Sequence, residues 1–330
     1  MQQSQKKLAT WTITDGNAGN LRQARALVDA LHRPARDWTL QPRAPWQWVA
    51  PRRLPWSAQA FGDEFARALA APPELAVGCG RHAALATRVL RDRGARTVQI
   101  LDPRVSPRHW DLVIVPEHDR IQGSNVIRLL GSLHPVDDEW LESARRRFAA
   151  LAALPRPCTA LLLGGPTVHA PLQAGWADAL AARLQRVVAA QGGCLMVTTS
   201  RRTPDNVRAR LREQLAGTIG VFWGGPEDGA NPYPGMLACA DRIVCTGDSV
   251  NMLSEACATR VPVFVGGMDV LSGRPRRFVD SLLGLGRVRG FDDRLASFAV
   301  MPLRETERVA REVGERLGLQ RQVPKPLDDQ

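Results

Sequence analysis

Lysine is nearly missing from this 330-residue chain: its lysines are Lys6, Lys7 and Lys325, so arginine supplies almost all of the positive charge. Tyrosine occurs once, at Tyr233, and no apolar run approaches the roughly 20 residues that a membrane-spanning helix needs. The cysteines form no C-x-x-C pair, so no metal site is expected and buried reduced thiols are predicted. Residues 1–9 are polar, which predicts no secretory signal and a cytoplasmic location.

The rest of the composition is typical of a globular protein, with a strong excess of positive charge. Hydrophobic residues make up 44% and charged residues 23%, which excludes a largely disordered or fibrous chain. The net charge of +11 has two interpretations: an arginine-rich genomic composition, or a surface that attracts nucleotide phosphates or acidic lipid headgroups. Nucleic acid is not a predicted partner, because the sequence has no basic block interleaved with aromatics and no zinc-finger spacing.

Apolar strand candidates alternate with amphipathic helical stretches along the chain, and the alternation restarts after Pro155 and Pro157. Such alternation is typical of βαβ units and parallel sheets. We therefore predict an α/β protein of two doubly wound, Rossmann-like domains facing a cleft. The predicted parts are a first domain at 1–154, a second domain at 155–303, a helix at 304–320 that could cross back to the first domain, and a tail at 321–330.

Ligands of open parallel sheets lie beyond the carboxyl ends of the strands, so the loops that leave the strands are the candidate sites. After the first strand come Asp15, Gly16 and Gly19. The glycines would let the backbone approach a ligand, and the helix that follows favours an anion at its start. Asp15 lies where a general base would lie, and a helix-capping aspartate is the alternative.

A second candidate in the first domain is the run Glu117, His118 and Asp119, which follows another predicted strand. His118 could act as a base oriented by a neighbouring carboxylate. The alternative is a loop that forms salt bridges with Arg120.

Three loops of the second domain carry residues that suit a nucleotide. Their candidate binding residues are Gly164, Gly165, Ser200, Arg201, Trp223, Asn231 and Tyr233. The glycine pair permits phosphate contact, the serine–arginine turn suits a diphosphate, and the aromatic-bearing loop could border a nucleobase. A plain turn, a solvated basic turn and ordinary surface are the respective alternatives.

The strongest motif is Thr246-Gly247-Asp248-Ser249, at the end of a predicted strand. A helix begins near Ser249, so Asp248 and Ser249 would lie beside its first amides, where a phosphate binds well. Glu255 lies about two turns into this helix, where a carboxylate could accept hydrogen bonds from ribose hydroxyls. An ordinary capped helix with a solvated glutamate is the alternative.

This last segment resembles the nucleotide-sugar half of GT-B glycosyltransferases, through Ser249, Ser254-Glu255-Ala256 and Arg260-Val261-Pro262. Over residues 10–270 the chain resembles more specifically the mitochondrial fission (elongated-mitochondria) family. The residues that carry this resemblance are Thr14-Asp15-Gly16, Gly19, Gln23, Pro116, His118-Asp119, Asn125-Val126, Gly164-Gly165-Pro166, Asp228-Gly229, Asn231-Pro232-Tyr233, Thr246-Gly247-Asp248-Ser249, Met252 and Ser254-Glu255-Ala256.

The resemblance implies a GT-B-like fold and a metal-independent glycosyltransferase without a tightly bound cofactor. The second domain would hold a nucleotide-diphosphate sugar, with Ser249 at the diphosphate, Glu255 at the ribose, and Ser200 or Arg201 at the far phosphate. The first domain would bind the acceptor and supply the base, and the choice among Asp15, His118 and Asp119 stays open.

Two other functions stay open. One is a recruiting protein without turnover, because plant members of the family recruit a dynamin-related protein to the mitochondrial surface. The other is a nucleotide-sugar epimerase that uses the same pocket. Residues 33–56, rich in proline, arginine and tryptophan, predict a surface excursion that could contact an anionic membrane or a lipid-linked acceptor, which would make the protein peripheral at the inner face of a membrane. The oligomeric state stays open.

Overall fold

The computed structural model describes residues 10–172 and 174–319. The polar segment at 1–9 and the predicted tail at 321–330 lie outside the described residues. The chain forms two compact units: unit 1 comprises the described residues up to Pro135 and those from Glu305 onwards, and unit 2 comprises Val136–Arg304.

Unit 1 contains a six-stranded parallel sheet, and the strands Thr10–Thr14, Leu75–Cys79 and Leu112–Pro116 are buried over their whole length. Such burial is typical of a parallel sheet, because helices cover both of its faces. The strands are Thr10–Thr14 (β1), Ala35–Thr39 (β2), Leu75–Cys79 (β3), Arg96–Ile100 (β4), Leu112–Pro116 (β5) and Val126–Leu129 (β6), in the order β2-β1-β3-β4-β5-β6. The early helices are Ala18–Ala30 (α1), Trp46–Val49 (α2), Asp63–Ala68 (α3) and Arg81–Arg91 (α4), with 3-10 turns at Ser57–Gln59 and Pro107–His109.

The predicted surface excursion at 33–56 is wrong in its first part, because β2 lies within it. Trp38 of β2 is buried against Trp11, with ring centroids 5.3 Å apart. The Arg36 guanidinium lies 4.0 Å from the centroid of the Trp38 ring. Proline and arginine near this strand obscured it, although Trp38 contributes to the core.

Unit 2 contains a second six-stranded parallel sheet. Its strands are Cys158–Leu163 (β7), Cys194–Thr199 (β8), Gly220–Trp223 (β9), Arg242–Thr246 (β10), Val263–Gly266 (β11) and Val288–Gly290 (β12), in the order β12-β11-β10-β7-β8-β9. Its helices are Asp138–Arg147 (α5), Ala149–Ala152 (α6), Ala174–Gln191 (α7), Asp205–Leu215 (α8), Tyr233–Cys239 (α9), Val250–Cys257 (α10) and Gly273–Gly284 (α11), with 3-10 turns at Pro226–Asp228 and Met268–Val270.

The boundary between the units lies before α5, whereas we predicted it at the prolines near 155. Helix α5 is tied to unit 2 by its side chains. Arg145 Nη2 donates to the Ala238 carbonyl at 2.6 Å. Asp138 accepts from Arg260 at 2.8 Å and from Arg304 at 2.7 Å. Prolines mark the end of the α5–α6 helical region in the sequence, but the packing partner of a helix decides its domain.

The last helix, Thr306–Leu317 (α12), packs in unit 1. Val309 and Val313 are buried in the same core cluster as Leu27 of α1. Thr306 Oγ1 donates to the His134 carbonyl at 2.8 Å, which fixes the start of α12. The chain therefore leaves unit 1 after its sixth strand and returns to it at the end.

Candidate functional site

Each sheet has one place where the chain reverses its direction of growth. In unit 2 this switch point lies between β7 and β10, and in unit 1 it lies between β1 and β3. Ligands of doubly wound sheets bind at the carboxyl end of such a switch point, because the loops on its two sides diverge there. The motifs after β10 and β1 therefore lie where a site is expected.

At the switch point of unit 2, Asp248 joins the loops that follow three strands. Thr246 Oγ1 donates to Asp248 Oδ1 at 2.5 Å, and the Gly165 amide donates to Oδ2 at 3.1 Å. Arg202 Nη2, from the loop after β8, donates to the same Oδ2 at 2.6 Å. The Asp248 side chain is 0% exposed and that of Arg202 is 45% exposed. Asp248 is thus an internal organiser of the site, and the guanidinium it holds faces solvent in part.

The two glycines after β7 are required by this arrangement. A Cβ on Gly164 would lie 2.1 Å from the Asp248 carboxylate oxygens, and a Cβ on Gly165 would lie 2.4 Å from the Arg202 carbonyl. Both distances are far shorter than any van der Waals contact. The glycines that we predicted as phosphate contacts therefore also let the β7 and β8 loops approach each other.

The environment of Asp248 changes its acidity. Burial raises the pKa of Asp248, and the hydrogen bond from Thr246 and the charge of Arg202 offset only part of this effect. Removing this carboxylate would leave buried donors without an acceptor, which is costly for the fold.

Helix α10 begins beside Asp248. Ser249 is its N-cap and accepts from the Met252 amide at 3.5 Å. The first-turn amides of a helix have no internal acceptors, so the start of α10 favours an anion. Glu255 is 3% exposed and lies in the second half of α10, where every residue from Leu253 to Cys257 is buried. Its predicted contact with a ribose stays a prediction.

The turn after β8 contains Ser200 and Arg201, which we predicted from sequence, and Arg202, which we did not. Ser200 Oγ lies 3.2 Å from Thr203 Oγ1, and Thr203 Oγ1 donates to the Gly164 carbonyl at 2.5 Å. Arg201 is exposed, and its neighbour Arg202 forms the ion pair with Asp248. Two adjacent arginines on a turn look alike in sequence, so only the backbone path distinguishes them.

The aromatic-bearing loop follows β9, two strands away from β7, or roughly 10 Å at ordinary strand spacing. Trp223 Nε1 donates to the Gly229 carbonyl at 3.1 Å. Asn231 Oδ1 accepts from the Tyr233 amide at 3.0 Å and so holds the start of α9. Tyr233 is buried. Of the three predicted base neighbours, Trp223 and Asn231 keep exposed surface.

At the switch point of unit 1, Asp15 accepts hydrogen bonds from two asparagines. Asn20 Nδ2 donates at 2.9 Å, and Asn17 donates from its side chain at 2.7 Å and from its backbone at 3.1 Å. Burial alone would raise the pKa of Asp15, but these hydrogen bonds outweigh it and lower the pKa. Gly16, with a φ of +86°, completes the turn, and Gly19 lies in the first turn of α1.

His82 is a functional candidate that the sequence analysis missed. It lies in the first turn of α4, after β3. Gly80, two residues earlier, packs closely against the hydrogen-bonded group of Asp15 and Asn20, here called the Asp15 cluster, because a Cβ on Gly80 would lie 2.6 Å from Asn20 Nδ2. Burial and Arg81 lower the pKa of His82, and the charge of Asp15 opposes them. A histidine two residues past a strand-end glycine is the signal that could have identified it.

The predicted bases do not form one group. Asp15 follows β1, whereas His118 and Asp119 follow β5, three strand spacings away, or about 14 Å. Asp119 is buried in a turn in which its amide donates to the Pro116 carbonyl at 2.9 Å. The choice among these three bases, which the sequence left open, is therefore a choice between two separate places on the carboxyl edge of the sheet.

The described residues contain neither a metal-binding cluster nor a helix that could span a membrane. Over 10–172 and 174–319, no group of three or more histidine, cysteine, aspartate or glutamate side chains is arranged to hold a metal ion. Within the same part of the chain, no helix has both the length and the apolar character needed to cross a bilayer.

Comparisons with solved structures concern the fold. The UDP-GlcNAc 2-epimerase from Methanocaldococcus jannaschii matches with a TM-score of 0.57 and 11% identity, over 93% of this chain and 99% of that chain. Os79 from O. sativa in complex with UDP matches with a TM-score of 0.51 and 14% identity, over 93% of this chain and 91% of that chain. At such identities the likeness shows the fold alone, and it confirms the predicted α/β, GT-B-like class.

Sequence comparisons identify the family. The pattern of the family described as Mitochondrial fission ELM1 matches residues 18–317. The Mitochondrial fission protein ELM1 of Arabidopsis thaliana is 32% identical over 276 residues, which are 74% of this chain. The match covers 64% of the plant protein, so the chain spans less than two thirds of that relative. With two Rossmann-like units and a match over nearly all of its described residues, this chain belongs to the mitochondrial fission ELM1 family.

Proposed function

We propose that unit 2 binds the diphosphate of a nucleotide-diphosphate sugar at the β7–β10 switch point, and that the protein transfers the sugar to an acceptor. The observation that carries this proposal is the convergence of the Gly164-Gly165 turn, the start of α10 and the half-exposed guanidinium of Arg202 on the loops organised by Asp248. Because Arg202 has five N–H donors, it can donate to a phosphate while Asp248 holds it.

The chemistry of the departing diphosphate suits this arrangement. Negative charge grows on the diphosphate as the sugar leaves it, and the α10 amides and Arg202 would stabilise that charge. Glu255 and the loop at Trp223–Tyr233 would bind the ribose and the base. The structure neighbour Os79 was solved with UDP, which supports a uridine nucleotide as the first ligand to try.

The acceptor side would belong to unit 1. Its hydroxyl must lose a proton during transfer, which a nearby base accelerates. The lowered pKa of Asp15 makes this carboxylate a weak base but a strong partner for a cation. The pKa of His82 is lowered by burial and Arg81, which favours the neutral imidazole that can accept a proton. We therefore propose His82 as the base and Asp15 as the group that stabilises its imidazolium form, with His118 and Asp119 as the competing candidates.

A thermal-shift titration tests the donor site. A nucleotide present at 100 times its Kd stabilises the fold by about 2.7 kcal/mol, which raises Tm by several degrees. We expect one nucleoside diphosphate to produce this shift in the wild type and in Arg201→Ala, and to lose most of it in Arg202→Ala and Glu255→Ala. If no nucleoside diphosphate or nucleotide sugar shifts the wild-type Tm, the donor site does not exist.

Turnover distinguishes the remaining functions. Release of nucleoside diphosphate that depends on an added acceptor supports the transferase. Isomerisation of the sugar without an acceptor supports an epimerase, the activity named for the Methanocaldococcus jannaschii neighbour. Nucleotide binding with neither reaction supports a recruiting protein without turnover. An acceptor held at an anionic membrane would suit the tryptophan-bearing part of unit 1.

A further inference from the structure

Residues 43–62 of unit 1, here called the tryptophan segment, present two indole rings to solvent. Trp48 is 70% exposed and Trp56 is 75% exposed. Trp46, the third tryptophan of the segment, is partly buried. Its ring packs on a buried cluster that includes Leu85, and its Nε1 donates to the Pro55 carbonyl at 3.3 Å. This bond brings the turn that carries Trp56 next to the helix that carries Trp48.

The exposed rings contribute little to folding. Elsewhere in unit 1, Trp11, Trp38 and Trp110 are buried, as large aromatic side chains usually are. Trp56 adopts a left-handed backbone with a φ of +56°, which a bulky residue rarely does. A surface that exposes two large apolar rings and uses an unfavourable backbone for one of them is typical of a binding surface.

The segment is positively charged. Between Trp38 and Gly62 the sequence contains Arg43, Arg52 and Arg53 and no aspartate or glutamate. Arg53 forms an ion pair with Asp92, which lies just after α4, so that part of its charge is balanced. Arg43 and Arg52 are exposed. Indole rings beside uncompensated arginines match the chemistry of an acidic lipid headgroup layer.

The scaffold beneath the segment holds it in place. Arg81 Nη2 donates to the Gln47 carbonyl at 2.5 Å, and Arg88 Nη1 donates to the Pro51 carbonyl at 2.6 Å. Both arginines belong to α4, which packs against the sheet of unit 1. Because these bonds tie both turns to one rigid helix, little backbone conformational entropy is lost when the segment docks.

We propose that the tryptophan segment docks unit 1 onto an anionic phospholipid bilayer. Trp48 and Trp56 would enter the interface between headgroups and acyl chains, and Arg43 and Arg52 would contact lipid phosphates. The proposal stands independently of sugar transfer, since it needs neither nucleotide binding nor turnover.

Vesicle sedimentation of the full chain tests this proposal. We expect binding to vesicles that contain phosphatidylglycerol, at least tenfold weaker binding to pure phosphatidylcholine vesicles, and loss of binding at high salt. The double variant Trp48→Ala/Trp56→Ala should bind at least tenfold more weakly, because interfacial burial of the two rings is removed. Met301→Ala, at another exposed apolar residue, in unit 2, should bind as the wild type does.

Charge variants and a polyanion complete the test. Arg43→Glu/Arg52→Glu should weaken vesicle binding by more than tenfold, at about fivefold per arginine. The same charge change at exposed unit 2 residues, Arg186→Glu/Arg294→Glu, should have a smaller effect. Circular dichroism must show that all variants are folded.

Three results would overturn the proposal. The first is that folded wild type does not bind anionic vesicles at low salt. The second is that the double tryptophan variant binds vesicles as strongly as the wild type does. The third is that the protein binds heparin as strongly as vesicles and that the double tryptophan variant binds heparin equally well. The last result would indicate an acidic macromolecule as the partner. The nucleotide-induced Tm shift, measured on the same variants, should not change, so failure of either proposal is visible without the other.

Discussion

Each sheet carries an aspartate just after one of the two strands that flank its switch point: Asp15 after β1 in unit 1 and Asp248 after β10 in unit 2. Asp248 is fully buried and accepts from a hydroxyl, an amide and a guanidinium, whereas Asp15 accepts from two asparagines and keeps exposed surface. Their pKa values shift in opposite directions, upward for Asp248 and downward for Asp15. The comparison teaches that an aspartate at the end of a switch-point strand can organise loops in one unit and offer an ionised group in the other.

The amino-terminal edges of the sheets, in contrast, are built alike. In unit 1 the buried Arg33 donates from Nε to Thr10 Oγ1 at 3.0 Å, and in unit 2 the buried Arg242 donates from Nε to Thr159 Oγ1 at 2.8 Å. Each arginine thus donates to a threonine at the start of the first strand of its unit. The two units share this arginine–threonine contact, whereas the aspartates at their carboxyl edges, where ligands of parallel sheets bind, have different partners.

Removing the two aspartates should show the largest difference between the units. Asp248→Ala leaves the Gly165 amide and the Thr246 hydroxyl without their acceptor and should lower the free energy of unfolding by about 3 kcal/mol. Asp15→Ala loses bonds from half-exposed asparagines that water can replace, so about 1 kcal/mol is expected. Urea unfolding measures both. Equal losses would contradict the distinction drawn between an organising and an available carboxylate.

A methyl group at the β7 turn should have the next largest effect. Gly164→Ala places a Cβ 2.1 Å from the Asp248 carboxylate and should lower the free energy of unfolding by about 2 kcal/mol and weaken nucleotide binding. Gly217→Ala, where a Cβ meets nothing within 4 Å, is the matched control and should be nearly neutral. A neutral Gly164→Ala would mean that the turn and Asp248 do not approach as closely as described.

The dependence of stability on pH should separate the two carboxyl groups by sign. The lowered pKa of Asp15 contributes stability above its ordinary value of 3.8, and this contribution is lost as the pH falls through its folded pKa. The raised pKa of Asp248 acts in reverse: its ionisation costs stability as the pH rises from 3.8 through its folded pKa.

Unfolding curves between about pH 3 and pH 6 for Asp15→Asn and Asp248→Asn, each compared with the wild type, measure this small effect. The stability difference between the wild type and Asp15→Asn should shrink on acidification. The difference for Asp248→Asn should change in the opposite direction. Parallel changes in the two variants would show that the carboxyl groups share one environment.

Much of the fold was predictable because buried parallel strands are short apolar runs between polar helices. Strands were expected just before the motifs at Gly164, Ser200 and Asp248, and β7, β8 and β10 end there. The strand β2 was not expected, since its charged pair Arg36 and Asp37 and the prolines near it conceal the buried Trp38. The domain boundary was also misplaced, because the packing of α5 on α9 is a long-range contact.

The site shows the same division. Motif chemistry at strand ends indicated Asp15, Gly164 and Asp248 from local spacing, because ligands of parallel sheets bind at the carboxyl ends of the strands. Local spacing did not show that Arg202 rather than Arg201 pairs with Asp248, or that His82 lies beside the Asp15 cluster.

Local periodicity and turn chemistry act over a few residues, so they can be recognised in the sequence alone. They predicted two α/β units with parallel sheets and polar residues at the carboxyl ends of the strands. Tertiary structure decided which strands became neighbours, which carboxylate was buried and which tryptophans stayed in solvent. The physical reason is that burial and charge pairing depend on residues far apart in sequence. Asp248 is covered by the loops that follow β7 and β8, and Trp46 packs against a buried cluster that includes the distant Leu85, whereas Trp48 of the same helix stays exposed.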